Sequence, residues 1–173
     1  AEVPVADQPQ LMRPAVPQRA KGEQGIVVEG LTNCLVKFSK CCTPVPGDDI
    51  VGFITRGYGV SVHRADCPNV LRSRDNPAEA GRWIRVSWAD KTSEEYHTML
   101  QVVAKDRISL IVDVSTVLSA TKTRVLSLNA RSTPDGFALL DLGISVSGRE
   151  QLKTVTSRLE QIQGVMKVTR PAG

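Results

Sequence analysis

Thr133-Pro134-Asp135-Gly136-Phe137-Ala138-Leu139-Leu140-Asp141-Leu142-Gly143-Ile144-Ser145-Val146-Ser147-Gly148-Arg149-Glu150 is the stretch that decides the fold of the second half of the chain. Proline presets φ and glycine tolerates positive φ, so residues 133–136 read as a turn. Phe137 to Val146 then alternates, with Leu140, Leu142, Ile144 and Val146 on one face, as a half-buried strand does. Ser147 and Glu150 have the spacing of a capping box. The helix it opens carries Leu152, Val155, Leu159 and Ile162 on one stripe, and Gly164 stops it.

Upstream of this stretch, Val125 to Ala130 reads as the partner strand, with Leu126, Leu128 and Ala130 on one face. Before it, Ile108 to about Ala120 places Ile111, Val114, Val117 and Leu118 at helical spacing, and Met99 to Ala104 reads as a strand. Downstream, Val165 to Thr169 supplies the last strand. The order over residues 95–173 is β-α-β-β-α-β, which predicts a ferredoxin-like sandwich of one sheet and two helices. Such a sheet leaves a face or an edge to cover, so a homodimer or a neighbouring domain is expected.

The first half is different. Residues 82–88 alternate and predict a linking strand within 81–94, with Trp83 and Trp88 on one face as interdomain packing. Residues 25–80 are turn-rich: Thr43-Pro44-Val45-Pro46-Gly47-Asp48 punctuates them, and Ile50–Ile54 and Val60–His63 flank Arg56-Gly57-Tyr58-Gly59 as a hairpin. So small a β-rich module has few large apolar residues and needs a staple, a disulfide or a metal. Residues 1–24 hold Pro4, Pro9, Pro14 and Pro17 with little to bury, and read as a flexible linker. The fold class expected is thus α+β, a small β-rich module followed by a βαββαβ unit.

The chain has 173 residues, 41% of them apolar and 4% aromatic. No apolar run reaches the roughly 20 residues of a membrane span, and the amino terminus does not read as a signal peptide. A cytoplasmic location is expected. The net charge of +4 is spread evenly along the chain, unlike a DNA clamp, which concentrates it. No phosphate-cradling loop, nucleophile elbow or paired-carboxylate spacing is present, so a binding or regulatory piece is expected rather than an enzyme.

Cys41, Cys42, His63 and Cys67 have the spacing C-C-x20-H-x3-C. Three thiolates and an imidazole suit Zn²⁺ in a closed structural site. The alternative is a set of small buried thiols in a reducing compartment. The adjacent Cys41-Cys42 pair serves one ion only if the backbone turns sharply after it, and Pro44 and Pro46 favour such a turn. Cys34 reads as a separate buried thiol, and His97 as structural.

The run Lys40-Cys41-Cys42-Thr43-Pro44-Val45-Pro46-Gly47-Asp48-Asp49-Ile50-Val51-Gly52, with Gly59-Val60-Ser61-Val62-His63-Arg64-Ala65-Asp66-Cys67, resembles the conserved-cysteine domain of RelA/SpoT-type (p)ppGpp synthetase/hydrolases. The βαββαβ unit that follows is similar to that family's carboxy-terminal ACT domain. The resemblance covers about residues 25–171. It implies a non-catalytic regulatory region of a bifunctional stringent-response enzyme, whose catalytic domains lie elsewhere. It implies zinc at Cys41, Cys42, His63 and Cys67, and a regulatory, oligomerisation-linked role for Asp66 and Cys67.

It also implies contact with ribosomal RNA, in an enzyme that senses uncharged tRNA in the ribosomal A site. Lys37, Lys40, Arg56, Tyr58 and Arg64 are the candidates; Arg72 and Arg74 lie nearby, and a solvated basic surface is the other reading of these cations. Finally, amino-acid-binding ACT domains commonly show D-R-x-G-L-L, where this chain has Asp106-Arg107-Ile108-Ser109-Leu110-Ile111. A branched-chain amino acid held by Asp106, Arg107, Ile108, Ser109 and Leu110 is one expectation, and Asp106 as a plain helix cap is the other. Amino-acid sensing by an ACT dimer, with the cysteine module as scaffold, and a stand-alone zinc or redox module are the competing functions.

Overall fold

The computed structural model describes residues 20–21, 25–30, 34–57, 59–89 and 95–171. The linker expected over 1–24 lies outside the described residues except for 20–21, and Tyr58 lies outside them too. Among the described residues the strands form three sheets. The first joins β1 (Ala20–Lys21), β2 (Ile26–Val28) and β7 (Val86–Trp88), so two residues of the expected linker pair as a strand. The second, in the order β3-β5-β4-β6, joins β3 (Leu35–Phe38), β5 (Gly59–Arg64), β4 (Ile50–Ile54) and β6 (Trp83–Ile84). Here β4 and β5 are the expected antiparallel hairpin, and β3 runs parallel to β5.

The linking strand expected over 82–88 is two strands, and they belong to different sheets. β6 pairs with β4 and β7 with β2, after a 3₁₀ turn over Ala80–Arg82. Trp83 and Trp88 therefore do not share a face. Trp83 packs on Phe53 and His63, whereas Trp88 packs on Phe38 and Tyr96 at the boundary between the two halves. The two small sheets close on a core of Ile26, Val28, Val36, Val60, Val62 and Val86. Gly52 permits this approach, because a Cβ there would lie 2.8 Å from Val86 and 2.9 Å from Val60.

The second half has the expected β-α-β-β-α-β order: β8 (Tyr96–Lys105), α2 (Leu110–Ala120), β9 (Arg124–Ser132), β10 (Phe137–Val146), α3 (Arg149–Glu160) and β11 (Val165–Thr169). Its sheet order is β11-β8-β10-β9. The inward face of β10 buries Ala138, Leu140, Leu142, Ile144 and Val146 against Leu110, Val114 and Leu118 of α2 and Leu152, Val155 and Leu159 of α3. Fully burying one such aliphatic side chain stabilises by about 1.5–3 kcal/mol, so this face holds the domain together.

Four local expectations differ from what is found. Leu126 falls outside the regular β9–β10 pairing, because the register shifts between Gly143 and Ile144 and leaves it exposed in a bulge. The helix after Ser147 has no capping box with Glu150. Gly148 is its N-cap, and Ser147 instead donates from its N–H (2.8 Å) and hydroxyl (3.1 Å) to the Gln151 amide oxygen. That helix ends at Glu160, four residues before Gly164, whose positive φ turns the chain into β11. On α2, Ile111 faces outward, and the buried stripe is Leu110, Val114 and Leu118.

Candidate metal centre

The β4–β5 hairpin carries His63 near its end, and the tight turn into α1 (Pro68–Arg74) places Cys67 just beyond it. Cys41 and Cys42 arrive from the other side, where β3 ends in a turn closed by the Thr43 N–H donating to the Ser39 carbonyl at 3.0 Å. That turn is sharp enough to aim neighbouring side chains at one point. Thr43 takes φ +41°, in the left-handed region a β-branched residue rarely visits.

The four donor atoms, three Sγ and the His63 imidazole, lie within 4.8 Å of one another. The Cys41 Sγ is 3.5 Å from Cys67 Sγ, 3.9 Å from Cys42 Sγ and 3.4 Å from His63 Nδ1, and Cys42 Sγ is 3.8 Å from that nitrogen. A tetrahedral Zn²⁺ with its usual bond lengths would put two thiolates about 3.8 Å apart and a thiolate and an imidazole nitrogen about 3.6 Å apart. The donor set fits zinc in number, type and spacing. Four protein donors also close the tetrahedron, the mark of a structural site.

The surroundings act differently on the donors. Burial pushes the Cys42 thiol up to about 12, against the opposing effect of the Arg64 N–H that donates to its sulfur at 3.3 Å. Burial also raises the Cys41 thiol, but hydrogen bonds with Ser39, Asn69, Cys67 and Cys42 outweigh it and leave it below its ordinary value. Burial holds His63 below its usual range, in the neutral form a metal needs. Trp83 and Val70 close the cluster from the side.

The other expected site residues are placed as follows. Asp66 is exposed and forms a bidentate pair with Arg64, at 2.9 and 3.1 Å, and this pair lowers the Asp66 carboxyl. The Arg64 side chain is only 12% exposed; its Nε and Nη2 pair with Asp66, while its Nη1 is buried without a hydrogen-bond partner. Lys37, Lys40 and Arg56 are exposed, so they differ from Arg64 among the cations expected to face RNA.

At the start of α2, Asp106 does not cap the helix. Its carboxylate accepts from the Ser132 hydroxyl at 2.6 Å, and the N-cap position belongs to Ser109, at φ +68°. A left-handed backbone costs an ordinary residue roughly 1–2 kcal/mol, which explains why glycine suits this position. Arg107 donates to Asp113, to the Gln163 carbonyl and to the Ile108 carbonyl. Ile108 points away and is 93% exposed. Asp106, Arg107, Ser109 and Leu110 nonetheless border a cavity of about 330 Å³ between α2 and β9.

Sequence reasoning missed the segment after the cysteine pair. Val45 is fully buried in the core of the βαββαβ unit. Asp48, with a side chain 7% exposed, pairs with Arg170 through two contacts of 2.9 Å. A single valine among prolines has no periodicity to reveal where it packs.

Comparison with known proteins follows this division. Residues 26–89 match the family model described as the RelA/SpoT RIS domain, and residues 92–170 match that of the ACT domain. The chain is 38% identical over 156 residues to the GTP pyrophosphokinase of Escherichia coli strain K12, covering 90% of this chain and 21% of that protein. It is 39% identical over 153 residues to the GTP pyrophosphokinase of Streptomyces coelicolor, covering 88% and 18%. It is 37% identical over 152 residues to the bifunctional (p)ppGpp synthase/hydrolase RelA of Mycobacterium tuberculosis, covering 88% and 20%. The chain thus spans about a fifth of the length of these relatives.

Proposed function

Because the chain belongs to the RelA/SpoT-type GTP pyrophosphokinases, whose C-terminal region carries these RIS and ACT domains, we propose that it is the non-catalytic regulatory part of a bifunctional (p)ppGpp synthetase/hydrolase. It acts in the cytoplasm, where it couples the catalytic domains to the ribosome. The observation that carries this reading is the cluster of buried Cys42 and Cys67 with half-buried Cys41 and His63, whose four donors match a closed zinc site. Zinc there would supply cross-linking, fixing the ends of β3 and β5 and the start of α1.

With the hairpin so fixed, Lys37, Lys40 and Arg56 present a rigid set of exposed cations to ribosomal RNA near the A-site tRNA. Arg64 serves the fold instead, holding Asp66. A homodimer is part of the same reading. The outer edge of β9 lies at the end of its sheet, with Val125 and Leu126 exposed, and an open edge of this kind calls for a cover. No helix among the described residues is long and apolar enough to cross a membrane.

Ribosome co-sedimentation of the 173-residue chain tests the proposal. The wild-type chain should pellet with ribosomes at low salt. A Lys40→Glu, Arg56→Glu variant should bind far more weakly, and the slope of its log-affinity against log salt should be shallower by about one for each phosphate-neutralising cation reversed. Wild-type chain that stays in the supernatant, or a variant that pellets equally, contradicts it.

The cavity beside Asp106, Arg107, Ser109 and Leu110 favours a second reading, in which the ACT domain binds a small amino acid. Its apolar walls suit a branched side chain. Heat in a calorimetric titration with valine, leucine or isoleucine is the expected result, and none with any of the three removes this reading.

A further inference from the structure

We propose that the loop Thr43–Asp48 links the metal site to the ACT domain, so that metal occupancy and the seating of that domain each strengthen the other. This inference rests on the metal reading above and adds a regulation of that site.

The loop has no slack at its first end. Cys42 is a ligand and Thr43 is the next residue, so a displaced thiol displaces the Thr43 carbonyl. That carbonyl accepts from Arg170 Nη2 at 2.9 Å and from the Thr98 hydroxyl at 3.4 Å, and the two threonine hydroxyls lie 3.0 Å apart. These contacts hold Thr43 in its left-handed backbone conformation.

The middle of the loop belongs to the ACT domain. Val45 sits in its core, and the Pro46 carbonyl accepts from the Arg149 N–H at 2.8 Å, in the first turn of α3. Gly47, at φ +99°, passes so close that a Cβ would lie 2.9 Å from the Arg149 Cβ. The far end is held from both sides. Asp48 accepts from the Val45 N–H and pairs with Arg170, while the Trp88 indole donates to the Asp48 carbonyl at 3.0 Å. Beyond it, the Asp49 carbonyl accepts from the Ala65 N–H at 2.8 Å, next to the Arg64 N–H that donates to Cys42.

One short segment therefore adjoins two ligands at one end and meets three parts of the ACT domain: β8 at Thr98, α3 at Arg149 and the residue after β11 at Arg170. A coupling between two such sites is reciprocal, because each equilibrium biases the same element. Coupling of ordinary size changes affinity by roughly 5- to 150-fold.

The test is the affinity of the full chain for Zn²⁺, measured by competition with a chromogenic chelator under reducing conditions. Arg170→Met should weaken zinc binding about 10-fold, within the ordinary range of such couplings, and Thr98→Val should weaken it less, although neither residue is a ligand. Reciprocally, removing zinc from the wild-type chain should accelerate hydrogen exchange at the Arg149 amide and leave the distant Gly136 amide unchanged. If Arg170→Met does not fold, Thr98→Val carries the same test. Zinc affinities equal to wild type in the folded variants overturn the coupling. A wild-type chain that takes up no zinc overturns the metal reading itself, and the coupling with it.

Discussion

Replacing Cys42 by serine is expected to abolish stoichiometric zinc uptake and to melt the RIS domain, leaving the ACT helices formed. The effect is large because the module depends on its staple. Its core among the described residues is two small sheets closed on six aliphatic side chains, and a module this small gains few kcal/mol from its core alone. A structural zinc site contributes folding free energy directly, about 10–16 kcal/mol in zinc-finger peptides. Serine keeps the size of cysteine but lacks the soft donor. Without metal, the neighbouring buried thiols and the neutral imidazole retain only weak hydrogen bonds. Tryptophan fluorescence should report the change, since Trp83 packs edge-on against His63. A Cys42→Ser chain that binds no zinc yet unfolds at the wild-type temperature would sink the structural role.

The second large effect is expected at Val45. Val45→Asp should destabilise the ACT domain by about 3–5 kcal/mol, the size seen when a charge is left buried without a partner. Val45→Ala should cost about 2 kcal/mol, close to the forfeited burial of the side chain. Chemical denaturation followed by circular dichroism separates the two. Were Val45 simply a loop residue of the RIS domain, both variants would leave the ACT transition where it is. The contrast matters because Val45 lies only three residues after Cys42 of the cysteine–histidine cluster and yet packs in the core of the other domain.

Most of the ACT fold was legible in the sequence because its signals are periodic. Leu140, Leu142, Ile144 and Val146 alternate onto one buried face, and Leu152, Val155 and Leu159 recur at helical spacing. The exceptions are places where the backbone breaks its period. Leu126 falls in a bulge, and Gly148 displaces the helix start so that Gln151 takes the role expected of Glu150. The convergence of Cys41, Cys42, His63 and Cys67 was legible from residue types and from the hairpin between Ile50 and His63. The tight turn that lets adjacent cysteines converge depends on Thr43, which adopts a conformation its side chain disfavours. The seating of the proline-rich loop was not legible at all, since it rests on one valine, one aspartate and an arginine 122 residues away. Arg64 shows the same limit, because pattern cannot distinguish a cation facing solvent from one turned onto Asp66.

The closed metal site is tested most directly by zinc X-ray absorption on the 173-residue chain, purified under reducing conditions with its metal content measured. One zinc per chain is expected, bound by three sulfur ligands at about 2.3 Å and one nitrogen at about 2.0 Å. A folded chain without stoichiometric zinc, or zinc bound by oxygen ligands, would contradict a structural zinc at Cys41, Cys42, His63 and Cys67.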